Sequence, residues 1–81
     1  LVKKMRLMEF KMERQGVVNT GDHVTVTEGS LPSGFFYYTI DPSLAMSFNI
    51  AANDRLKVME GDVTQVIQNA RGYYVTVQFD E

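Results

Sequence analysis

His23 is the only histidine in this 81-residue chain, and the chain has no cysteine. Acid–base or nucleophilic chemistry would have to be built around one imidazole, as in a Ser/His/Asp arrangement. Asp22 precedes it in "GDHVTVT". Neighbours on a strand point to opposite faces, so Asp22 is badly placed to orient the ring, and a solvated strand histidine is the expectation. Two carboxylate pairs, Glu60 with Asp62 and Asp80 with Glu81, suggest an acid/base or metal site. Each falls at an expected turn or the chain end, and "EGD" lacks the run of oxygen ligands found in a calcium loop. The six glycines are scattered, and none opens a helix after a strand with phosphate-loop spacing. No catalytic residue, metal or cofactor is assigned.

The aromatic residues carry the stronger signal. "GFFYYTI", residues 34–40, places four rings in succession. On a strand, Phe36, Tyr38 and Ile40 share one face while Phe35, Tyr37 and Thr39 share the other. One core hides one set, and the second needs a further layer, a partner or a ligand. In "RGYYVTVQF", residues 71–79, the alternation sends Tyr73, Val75, Val77 and Phe79 inward and Tyr74, Thr76 and Gln78 outward. Outward rings at Phe35, Tyr37 and Tyr74 suit a protein contact, base stacking or an aromatic cage for a methylated amine. The same stretch matches the first three positions of the aromatic RNA-recognition pattern. Tyr74 then stands where Gly or Ala belongs, and Val75 replaces the second stacking ring.

These residues must be held by short elements. "LVKKMRLMEFKMERQG" sets Leu1, Met5, Met8 and Met12 on one helical face and ends at Gly16, and residues 3–15 contain no β-branched side chain. An amphipathic helix over residues 1–16 is expected. A competing alternation sets Met8, Phe10 and Met12 against Glu9, Lys11 and Glu13, as in a strand. "NTGDHVTVTEG" reads as a turn and a half-buried strand, and "GSLPSG" as a loop. "DPSLAMSF" offers Asp41 as a cap and Pro42 at a first helical position, which predicts a helical turn through about Phe48. "RLKVM", "VTQVIQ" and "YYVTVQF", separated by "EGD" and "NARG", predict an antiparallel three-strand meander.

The fold expected is mainly β: a small SH3-like antiparallel barrel or meander of about five strands over residues 17–81, with the helix at residues 1–16 as an arm. The stretch "EGDVTQVIQNARGYYVTVQFDE" is generically similar to meanders of SH3-like barrels. Closure is favoured because it removes the exposed edges of a flat sheet. With 44% hydrophobic and 22% charged residues, the chain has the composition of a packed domain. So short a chain buries only about 60% of its surface alone, and without disulfides oligomerisation is the usual reinforcement. No apolar run is long enough to span a bilayer, and a cytoplasmic location is expected.

Net charge is −2, but residues 1–16 carry five basic and two acidic groups while residues 17–81 carry three basic and eight acidic. Opposite signs favour the arm lying on its own body or on a neighbour's. The functional expectation is a non-catalytic protein-interaction or assembly module that self-associates through Phe35, Tyr37 and Tyr74 with Met5, Met8 and Met12. The alternative is a single-stranded RNA or DNA binder that adds Lys3, Lys4 and Arg6 as phosphate contacts.

Overall fold

The computed structural model describes residues 5–81. Six strands form a closed antiparallel barrel: β1 (Arg6–Met12), β2 (His23–Ser30), β3 (Phe36–Ile40), β4 (Ala45–Ser47), β5 (Glu60–Asn69) and β6 (Gly72–Phe79). Around the barrel the order is β1-β4-β3-β2-β5-β6, with β6 paired back to β1. The mainly β barrel expected from the sequence is present, with six strands rather than about five.

The N-terminal helix is corrected to a strand. β1 pairs with β6 along its whole length, from Arg6↔Phe79 to Met12↔Tyr73, and with β4 on its other side. The two-residue alternation prevails over the four-three-four spacing because it buries Met8, Phe10 and Met12 together. A helix would have placed Phe10 off the Met face. Met8 and Met12 thus fill the core instead of presenting a recognition surface. Of the expected helical face, Leu1 lies outside the described residues.

Two further elements differ from expectation. Residues 41–44 form a turn that folds β4 back on β3, with Ile40 opposite Ala45. The Asp41 carboxylate caps no helix, because it accepts hydrogen bonds from Thr27 (2.8 Å) and Thr25 (3.5 Å). "RLKVM" forms no strand. After a 3-10 turn at Ala52–Asp54, the Leu56 N–H donates to the Tyr38 hydroxyl, and the Lys57 and Val58 N–H groups donate to the Glu81 carboxylate. Side chains take the backbone donors that a sheet ladder would need. The meander is therefore the β5–β6 hairpin alone.

"EGD" is no turn either. Glu60, Gly61 and Asp62 open β5 and pair with Thr25, Val24 and His23 of β2. Gly61 faces inward opposite Phe79, and a Cβ there would stand 2.5 Å from the Gln78 carbonyl oxygen. Glycine serves here for close approach of β6, not for turning.

The core contains Phe10, Tyr38, Ile40, Val75, Val77 and Phe79, all fully buried, with Phe10 and Phe79 tilted against each other at 6.3 Å. The inward sets expected of β3 and β6 are correct, although Phe36 and Tyr73 remain half-buried. Val18 and Leu56, from the two long connections, complete the core. Among the described residues no helix is long and apolar enough to cross a membrane.

Candidate functional site

Closure decides which outward side chains can act together. β3 and β6 stand three strands apart in either direction round the six-strand barrel. Tyr37 and Tyr74 therefore lie on opposite sides, and the expected surface of Phe35, Tyr37 and Tyr74 does not form one face.

On the β2–β3 side several groups are partnered within the chain. Tyr37 is opposite Gly29, and its ring lies in the space that a side chain at Gly29 would need. A ring over a cross-strand glycine is covered by its own sheet. The Tyr38 hydroxyl donates to Glu28 (2.6 Å) while accepting from Leu56, and Arg55 Nε donates to the same carboxylate at 3.0 Å. Arg55 also stacks over Phe36 at 4.3 Å. The Arg55 guanidinium, then the tyrosine hydroxyl, hold Glu28 below the usual carboxylate range. Burial, then the neighbouring Glu28, pushes the Tyr38 phenol up. Phe35 projects from the loop before β3 and is exposed.

The β4-β1-β6-β5 side differs in kind. Register aligns Met46 with Lys11, Lys11 with Tyr74 and Tyr74 with Ile67, one row across four strands. Met46 is 51% exposed, Phe48 58%, Leu7 62% and Ile67 39%. Leu7 stands opposite Gln78, whose amide reaches the sulfur of exposed Met5 at 3.3 Å. Phe48 follows β4 directly. The outward residues of β1, β4 and β6 and the outer half of β5 carry only Glu9 and Lys11 as charges. This arrangement suits burial against an apolar partner rather than proton transfer or anion binding.

Of the residues expected from sequence, only Tyr74 and Met5 lie on this face. Met8 and Met12 are internal, and Phe35 and Tyr37 are elsewhere. Arg6 pairs with Glu81 at 3.5 Å, and Lys3 and Lys4 lie outside the described residues. Leu7, Met46, Phe48 and Ile67 went unassigned. Ile67 carried a legible signal: in "TQVIQN" adjacent Val66 and Ile67 cannot both face inward on a strand.

A second cluster forms at the β2–β5 seam. His23 Nδ1 lies 2.8 Å from Asp62, and Nε2 lies 3.1 Å from Glu60. A neutral ring has one N–H, so only the imidazolium donates to both. Those hydrogen bonds, Asp62 first and then Glu60, raise the His23 pKa. All three side chains are more than half exposed. Asp22, the neighbour weighed from sequence, instead accepts the Asn19 N–H. Among the described residues no group of three or more acidic, histidine or cysteine side chains could hold a metal ion.

No protein-family model, curated protein or solved structure matches the chain.

Proposed function

We propose that this protein is a non-catalytic association module whose working surface is the outer face of β4, β1, β6 and β5, and whose partner is a second copy of the chain. The row Met46–Lys11–Tyr74–Ile67, flanked by Phe48 and Leu7, carries the proposal. Large apolar side chains collected on one side of a small barrel gain most by burial against a partner. The face has one acid and one base among its outward strand positions, so a two-fold contact does not set a field against itself. The cysteine-free chain suits a reducing cytoplasm.

The nucleic-acid reading draws less support. Its rings stand on opposite sides of the barrel, and Arg6 is engaged by Glu81. A catalytic role for His23 lacks a shielded site, because its carboxylate partners face open solvent.

Light scattering over a concentration series should show a monomer–dimer equilibrium that survives or strengthens as salt is added. Replacing Ile67 by Ser should weaken dimerisation at least about tenfold, a change of roughly 1.4 kcal/mol, with the thermal midpoint of the monomer little changed. A strictly monomeric protein at millimolar concentration would overturn the proposal.

A further inference from the structure

The barrel is closed, yet one strand keeps an unpaired edge. β5 has ten residues and reaches about 33 Å, close to the 38 Å long dimension of the molecule. β2 pairs with only its first three, Glu60 to Asp62. Backbone hydrogen bonds from Gly21 and to Asp22 extend this contact to Val63. At Thr64 the β5–β6 register shifts, with Val63 opposite Val77 and Gln65 opposite Thr76. A bulge bends its strand and terminates pairing, which explains why β5 leaves β2 here. Beyond it, among the described residues, no backbone hydrogen bond reaches the outer edge of β5, although Gln65–Asn69 remain regularly paired with β6 on the inner edge.

Unpaired edges in native sheets are usually guarded by charge, proline or covering chain. From Gln65 to Asn69 there is no charge and no proline, and Gln65, Ile67, Gln68 and Asn69 are all exposed. β-branched Val66 and Ile67 lie at the centre. This edge lacks each of those guards.

We infer that two copies of the chain join their β5 edges antiparallel about a two-fold axis at Ile67, forming a continuous β6-β5-β5-β6 sheet. The inference rests on the self-association proposed above and sets its seam at the Ile67 end of the apolar row, so that the rows of the two copies lie side by side. A two-fold perpendicular to a sheet keeps each side chain on its own face, so residues pair only with positions an even number away. Centring on Ile67 sets Ile67 against Ile67 and Gln65 against Asn69 on the outer face, apolar with apolar and amide with amide. The row Met46–Lys11–Tyr74–Ile67 then continues into the same row of the second copy. Charge agrees at the ends. The pairing carries Arg71 of each copy toward the end of the edge where Asp22 and Asp62 of the other lie. Because the edge itself is uncharged, no like charges meet across the axis.

The absence of cysteine makes the test clean. Directly opposed residues in an antiparallel pair stand about 4.5–5.5 Å apart at Cα, within the disulfide range of about 4.4–6.8 Å. Ile67→Cys should therefore oxidise to a covalent dimer at a dilution where Gln65→Cys, about 13 Å from its own copy, forms about tenfold less. Mixed Gln65→Cys and Asn69→Cys proteins should cross-link with each other. Dimerisation by light scattering with Ile67→Cys uncoupled and Met46→Cys coupled would overturn the edge geometry and leave the apolar-face reading standing. A monomer at every concentration, with no cross-link at any of these positions, would overturn both.

Discussion

The two sides of the barrel dispose of their large side chains differently. On the β2–β3 side several groups meet a partner in their own chain: Tyr37 lies on Gly29, Thr27 donates to Asp41, and Glu28 accepts from Tyr38 and Arg55. On the β4-β1-β6-β5 side, Leu7, Met46, Phe48 and Ile67 lie open to solvent. A ring on the outward face of a strand is partly covered when the next strand offers a glycine. Unsatisfied surface arises where the strands bring apolar side chains together with no such recess.

Three substitutions or titrations test that division. The largest effect is expected at Gly61, which joins the two sides by pairing with both β2 and β6. Gly61→Ala places a methyl group against the immobile Gln78 carbonyl and should lower unfolding free energy by about 3 kcal/mol, the upper end of ordinary overpacking. Urea denaturation measures this, and a loss below about 0.5 kcal/mol would mean that the seam yields easily.

Next is Tyr38→Phe on the satisfied side. It removes the hydroxyl that donates to Glu28 and leaves the Leu56 N–H buried without its acceptor. The expected loss is about 1–2 kcal/mol, with dimerisation unchanged. If Tyr38→Phe weakened association instead, the two sides would not be independent.

The smallest effect concerns His23. Its pKa is raised in the folded state by Asp62, then Glu60, so the folded protein binds the proton more tightly than the unfolded chain. The added stability is fully present below the ordinary histidine value of about 6.5 and is lost as pH rises through the raised folded value. The exposure of all three groups keeps the effect small. Denaturation midpoints across this range should slope gently for the native sequence and lie flat for His23→Gln. An equal slope in the variant would assign the pH dependence to other groups.

Alternation within each strand was legible because it is a local property. It placed Tyr38, Ile40, Val75, Val77 and Phe79 in the core. Where two local periods competed, over residues 5–12, composition pointed to a helix and burial of Phe10 decided for a strand. Carboxylates at Glu60 and Asp62 were visible, but their partner His23 lies 37 and 39 residues away. Spacing along the chain carries no information about such a meeting.

The sequence by itself determined a small, mainly β domain, the inward parity of its longest strands and an excess of apolar side chains over what one core can hold. Those properties follow from side-chain chemistry and a two-residue repeat. Tertiary structure alone decided the strand order, which separates Tyr37 from Tyr74, covers one with Gly29, and aligns the other with Ile67, Lys11 and Met46. Strand neighbours are chosen by which cross-barrel packing buries Phe10, Tyr38 and Phe79 together, a condition that no single segment of the chain can express.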